Sequence, residues 1–134
     1  MASIDLFVRS GAGAERREAV LQGWNRASLR SVITDLLAPW QPKLRVRAGD
    51  WGFKKMQAKW GSCNVSARRI WLNLELAKKR VQCLEYIVVH ELGHLLERNH
   101  TERFTALMDW HLPDWRTWRE MLKSSPLGHE AWGY

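Results

Sequence analysis

The sequence predicts an α+β domain in which an antiparallel sheet packs on an N-terminal backing helix and on a second, buried helix. Three patterns support this prediction. Apolar residues recur at helical spacing over 14–38, they alternate with polar residues over 44–76, and residues 81–97 are apolar on nearly every side of a helix. With 134 residues the chain is long enough for a single core, so 1–134 is predicted to be one domain with a loose tail at 124–134.

The backing helix is predicted to end at Pro39 and Pro42, because proline lacks a backbone N–H and clashes with the preceding helical turn. Before this helix, residues 4–8 alternate as in a short strand.

Three segments between the backing helix and the buried helix have the two-residue period of strands. They are residues 44–48, 56–60 and 70–76. Residues 49–52 are predicted to form a turn, since two glycines flank Asp50 and Trp51 there.

The buried helix carries the run His90-Glu91-Leu92-Gly93-His94. Residues i and i+4 lie one helical turn apart on the same face, so both imidazoles can bind one Zn²⁺. Glu91 is rotated by about 100° around the helix from His90, so its carboxylate does not easily bind the same ion. It can still reach a water bound to that ion and take its proton. Unpaired polar groups are costly in a buried helix, which favours a metal site over two core histidines.

His100 is the predicted third ligand, because a catalytic zinc site has three protein ligands and one open position. A straight helix would place His100 about 240° around the axis from His94, so the helix must end between them. Asn99 tolerates the left-handed conformation that ends helices, and Thr101 is a suitable N-cap for the next helix.

Other side chains near the motif remain alternatives. Glu102 and Asp109 are rival third ligands, and Cys63 is a candidate inhibitory ligand. His111 is expected to cap a helix end or to pack in the core.

Four stretches of the chain, in this order and spacing, carry a resemblance to a known family: 56–63, 70–76, 86–95 and 99–104. They resemble the YgjP-like metallopeptidases, which are relatives of the SprT and WLM metalloproteases. The resemblance implies a small zincin-like domain that acts as a zinc metallopeptidase. It also implies that His90, His94 and His100 bind the zinc and that Glu91 is the general base.

Lys59, Trp60, Gly61 and Ser62 lie at the end of a predicted strand and are candidate substrate-binding residues. An edge strand can bind an extended peptide by main-chain pairing, so this segment would line the cleft. The alternative is that Trp60 belongs to the core and Gly61 forms a bulge.

The net charge of +7 is concentrated in the middle of the chain, where residues 43–80 hold eleven Lys or Arg against two acidic residues. This balance makes nucleic acid a candidate partner through the 43–80 region. A solvated β-surface is the alternative.

Cys63 and Cys83 are too few for a disulfide framework and are predicted to be free thiols in a reducing cytoplasm. Residues 1–10 lack a signal-peptide pattern, and no apolar run is long enough for a membrane span.

The combined prediction is a cytoplasmic zinc metallohydrolase that acts on a protein or peptide substrate. Two alternatives remain: a metal-dependent nucleotide phosphoanhydride hydrolase, and a non-catalytic nucleic-acid-binding module with a structural zinc.

Overall fold

The computed structural model describes residues 25–124, so the predicted strand at 4–8, the first part of the predicted helix at 14–38 and most of the predicted tail lie outside the described residues. The elements are α1 (Arg26–Leu44), β1 (Asp50–Lys54), β2 (Gly61–Asn64), β3 (Arg69–Asn73), a 3₁₀ helix (Leu74–Lys78), α2 (Val81–Gly93), α3 (Glu102–His111) and α4 (Trp115–Lys123). Helices and a small sheet share one core, and the predicted α+β class is confirmed.

Helix α1 is capped at its N-terminus by Asn25, whose side chain accepts a hydrogen bond from the Ser28 amide, and at its C-terminus by Arg45 in the left-handed conformation. Pro39 and Pro42 lie inside it, so the prediction that they end the helix was wrong. Buried side chains continue on both sides of the prolines: Leu36, Leu37, Trp40 and Leu44. Tertiary packing along this face outweighs the helical hydrogen bonds that the prolines remove.

The sheet has the strand order β1-β3-β2, with β1 parallel and β2 antiparallel to β3. It is therefore mixed, and the prediction of an antiparallel sheet was wrong for the β1–β3 pair. Residues 44–48 form no strand because Leu44 completes α1, and the predicted turn at 49–52 instead contains the start of β1. Partial burial of Val46 and Ala48 against the core produces the alternation that suggested a strand.

Asn73 explains why 56–60 is irregular although a strand was predicted there. Its fully buried side chain donates to the carbonyls of Met56 at 2.9 Å and Lys59 at 2.7 Å, and accepts from the Glu75 amide at 3.0 Å. The Asn73 amide donates to the Trp60 carbonyl at 2.9 Å. These bonds pair backbone groups of the segment without the continuous hydrogen-bond ladder of a strand, and they place the segment beside the start of β2.

Helix α2 lies at the centre of the domain, packed against α1, α3, α4 and β2. Ten of its residues are buried, and the Trp40 indole N–H on α1 donates to the Glu85 carboxylate of α2 at 2.8 Å. The helix with the His-Glu motif is thus held on several sides. None of the helices in 25–124 combines the length and the apolar composition that crossing a bilayer requires.

Candidate active site

Three imidazoles meet at the C-terminal end of α2. The Nε2 atoms of His94 and His90 are 3.2 Å apart, those of His94 and His100 are 3.0 Å apart, and those of His100 and His90 are 3.2 Å apart. Two nitrogens at roughly 2.0–2.1 Å from one tetrahedral zinc are about 3.3–3.4 Å apart, so this triangle has the size of a three-histidine site. Within 25–124 these three residues form a group able to hold a metal ion, as the sequence predicted.

The turn after α2 brings His100 to the helix. The α-helix ends at Gly93, earlier than the predicted end near residue 97, and Thr101 caps α3 by accepting a hydrogen bond from the Phe104 amide. The Nδ1–H of His94 donates to the Glu97 carbonyl at 3.0 Å. This bond selects the tautomer whose Nε2 lone pair points toward the other two imidazoles.

Phe104 forms an aromatic wall against the triangle, a role that the sequence analysis did not identify. Its ring stacks on His94 at 4.5 Å and meets His90 edge-on at 4.9 Å. A β-carbon on Gly93 would lie 3.1 Å from the Phe104 ring, so the glycine permits this close approach. The only sequence signal was the position of Phe104 one helical turn after His100.

Burial lowers the pKa of each of the three histidines. For His90 the lowering is large, and the nearby His94 and His100 add to it. For His94 and His100 burial is again the largest cause. The imidazoles are therefore neutral at physiological pH, which is the form that binds a metal.

Glu91 is 1% exposed and lies against the first residue of β2. A β-carbon on Gly61 would be 2.8 Å from its Oε2 atom, so the strand backbone directly adjoins the carboxylate. Cys63, two residues further along β2, has its pKa raised to about 11 by burial and, secondly, by Glu91. Side chains two residues apart share one strand face, so this face of β2 points toward Glu91.

The predicted substrate-binding segment has two environments. Trp60 is 1% exposed in the core, and Gly61 lies at Glu91. Lys59 and Ser62 instead line a groove of about 520 Å³ beside Lys54. Strand β2 is at an edge of the sheet in the described part of the chain.

The alternative ligands are placed elsewhere and do not join the imidazole group within 25–124. Asp109 accepts hydrogen bonds from the Trp115 indole at 2.8 Å and from Arg116. His111 is the last residue of α3, and its ring meets Trp40 edge-on at 6.2 Å. His111 thus packs beside the core, as expected.

Comparisons with known proteins give a matching family model and similar folds. A family model described as "YgjP-like, metallopeptidase domain" matches residues 2–125. The metallopeptidase zymogen abylysin of Pyrococcus abyssi aligns with a TM-score of 0.63 and 16% identity, over 69% of this chain and 92% of abylysin. The zymogen jannalysin of Methanocaldococcus jannaschii aligns with a TM-score of 0.56 and 17% identity, over 72% of this chain and 94% of jannalysin. No curated protein sequence matches the chain significantly.

Proposed function

Because the chain belongs to the YgjP-like metallopeptidase family, we propose that it hydrolyses peptide bonds with a zinc ion held by His90, His94 and His100. One observation carries the proposal, namely the three Nε2 atoms that lie within 3.0–3.2 Å of one another. A zinc bound there would supply Lewis acidity and lower the pKa of a bound water to about 7.

Zinc is proposed as the resident metal on the chemistry of the donors. Neutral imidazoles suit zinc, and three protein ligands with one open position are typical of catalytic zinc sites. The Glu97 carbonyl supports this role by holding His94 in the ligating tautomer.

Glu91 is proposed as the general base. Its buried carboxylate neighbours His90 in the chain but lies on the side of α2 that faces Gly61 of β2. It would accept the proton of the attacking water and deliver it to the leaving nitrogen of the cleaved peptide bond.

The substrate is proposed to bind as an extended peptide along β2. This strand pairs with β3 on one side, and its Gly61 end lies at the general base. Main-chain pairing with a strand edge would position a peptide bond beside Glu91 largely independently of sequence. Gly61 and Ser62 would provide backbone contacts, Lys59 would lie at the groove near Ser62, and Trp60 would support the segment from the core.

The remaining proposals concern cellular context. Cys63 and Cys83 are both free thiols, which supports a reducing cytoplasm. We further propose that 1–134 acts as a single catalytic domain.

The basic 43–80 region supports nucleic acid as a second partner besides the peptide substrate. Family membership favours peptide hydrolysis over the phosphoanhydride and non-catalytic alternatives.

Elemental analysis of the purified protein tests the metal site. About one zinc per chain is expected in the wild type and in Glu91→Gln, and little in His94→Ala. The matched control is His111→Ala, which removes an imidazole outside the triangle and should keep its zinc.

Peptide hydrolysis by the same proteins tests the mechanism. Glu91→Gln should be inactive although it retains the metal. A folded wild type without zinc, or a fully active Glu91→Gln, would contradict the proposal.

A further inference from the structure

Three arginines border one pocket at the end of the sheet furthest from Gly61. Arg45, Arg47 and Arg68 line a concavity of about 590 Å³ where the C-terminal end of α1 meets the β2–β3 connection. We propose that this pocket holds a phosphate group of a nucleic-acid strand that lies across the outer face of the sheet. The arginine pocket lies at the opposite end of the sheet from Gly61 and Glu91, and phosphate binding there does not depend on catalysis.

The backbone of two of these arginines adopts a conformation that favours glycine. Arg45 has φ 58° and Arg68 has φ 54°, and they are the only non-glycine residues with positive φ within 25–124. In this region the β-carbon crowds the neighbouring carbonyl, so glycine would fit with less strain. Arg45 adopts this conformation as the C-cap of α1 and Arg68 adopts it in the turn between β2 and β3, and these two chain reversals place both guanidinium groups at the same pocket.

One of the guanidinium groups is already oriented. Nε and Nη2 of Arg68 donate to the Arg47 carbonyl at 3.2 and 2.6 Å. This pair occupies one edge of the planar group and leaves its other edge for the paired oxygens of a phosphate.

The charge of the pocket is not neutralised by the residues that line it, since none of them is acidic. The carboxylate of Asp50, at the same end of the sheet, bonds to Arg69 at 3.3 Å. Three neighbouring cations repel one another, and an anion relieves that repulsion.

The surface beyond the pocket favours a polymer over a single phosphate. Arg69 and Trp71 share one face of β3, and the β1–β3 register places Gly52 and Lys54 on the same face. The Trp71 ring lies across Gly52, where a β-carbon would be only 3.1 Å from it. The Lys54 ammonium lies 4.8 Å from the centre of that ring.

At the other end of this face, Lys54 and Lys55 border the groove of about 520 Å³, next to the Lys59 and Ser62 positions proposed for the peptide. Cations therefore lie at both ends of the face and a half-buried aromatic ring lies between them. This arrangement suits a single strand, whose phosphates bind cations and whose bases stack on aromatic rings.

The test is fluorescence anisotropy with a labelled single-stranded oligothymidylate over a range of salt concentrations. Wild type should bind at low salt. Removal of one phosphate contact should reduce the slope of log affinity against log salt by about 0.7.

Arg45→Gly is the informative variant, because glycine suits the backbone there: its thermal stability should be unchanged or higher while its salt slope falls. Arg47 does not have a positive φ, and Arg47→Gln should show the same fall in the salt slope.

Arg26→Gln is the matched control, because it removes an equal charge at the opposite end of the 19-residue α1, about 28 Å away. Its salt slope should equal that of the wild type. The proposal is overturned if the oligonucleotide does not bind at low salt, or if Arg26→Gln weakens binding as much as Arg45→Gly does. It is also overturned if inorganic phosphate binds at these arginines in calorimetry but the oligonucleotide does not.

Discussion

A β-carbon added to Gly61 would lie 2.8 Å from Oε2 and 3.1 Å from Cγ of Glu91. Real β-carbons almost never approach other atoms within 3.0 Å, so a side chain at Gly61 requires the carboxylate or the strand to move. Ile87 on α2, whose Cγ2 would be 3.0 Å away, leaves little room on the other side. Glu91 and the edge strand can lie this close together only because residue 61 is glycine.

We therefore expect Gly61→Ala to lower kcat by roughly 10²-fold, since a displacement of about 1 Å at a catalytic group can cost that much. Zinc content should be unchanged, because the three nearest atoms to a β-carbon at residue 61 belong to Glu91 and Ile87 and not to the three histidines. Steady-state peptide hydrolysis and elemental analysis of the same preparation check both expectations.

The control for this variant is Gly49→Ala, where the nearest atom to the added β-carbon, the Arg68 carbonyl oxygen, is at an ordinary 3.4 Å. It should retain nearly full activity. Equal activity of Gly61→Ala and wild type would show that the contact does not position Glu91.

Asn73→Ala should lower the free energy of unfolding by about 2–4 kcal/mol, because three hydrogen bonds of a fully buried side chain are lost at about 0.5–1.5 kcal/mol each. Urea denaturation measures the change. Asn64→Ala, which removes a single exposed hydrogen bond to the Ala67 amide, should cost about 1 kcal/mol or less. Similar losses for the two variants would contradict the anchoring role of Asn73.

The metal-free protein should lose stability as pH falls below 6.5, the ordinary histidine value. Burial holds the pKa of His90 well below that value in the folded state. Above 6.5 the imidazole is neutral in both states and the stability is fully present. Below pH 6.5 the unfolded chain binds a proton that the folded chain does not. His90 alone therefore lowers the free energy of unfolding by up to about 1.4 kcal/mol per pH unit.

Urea denaturation at about pH 7.5 and about pH 5.5 tests this expectation. His90→Asn should show a shallower dependence, since asparagine does not titrate. Stability that is constant or rises toward pH 5.5 in the wild type would contradict it.

Cys63 should react slowly with iodoacetamide at neutral pH, because burial and then Glu91 raise its pKa to about 11 and the thiolate is the reactive form. The labelling rate should rise about tenfold per pH unit below that value. Mass spectrometry of the metal-free Cys83→Ser protein isolates the Cys63 signal.

Glu91→Gln should speed this labelling, because it removes the negative charge that contributes to the raised pKa. If labelling is rapid at pH 7 and its rate does not change with pH, the thiol is not in the environment described.

That the three imidazoles lie together could be predicted from sequence because the relation between His90 and His94 is local. Four residues make one helical turn wherever the helix lies, and the identification of His100 required only that the helix end soon after His94. The end itself was placed about four residues too late, which did not affect the prediction that His100 lies beside His90 and His94.

Features that depend on distant packing could not be predicted. Pro39 and Pro42 are helical because one face of α1 is buried along its length. Strand β1 pairs parallel to β3 although nothing near Asp50 specifies a partner. Asn73 is an ordinary strand residue by pattern, and two of its three side-chain hydrogen bonds depend on where 56–60 passes. The contact of Gly61 with Glu91 joins residues thirty positions apart.

The triangle of imidazoles combines His90 of α2 and His94 at its C-cap with His100, which follows a short turn. This arrangement constrains the length of the chain between them. Surface turns commonly gain or lose residues without harm to a fold. The turn at 95–99 should not, because a single insertion or deletion would rotate and shift His100 relative to His90 and His94. Five residues with little apparent chemistry of their own thus act as a spacer, in which sequence can drift more freely than length.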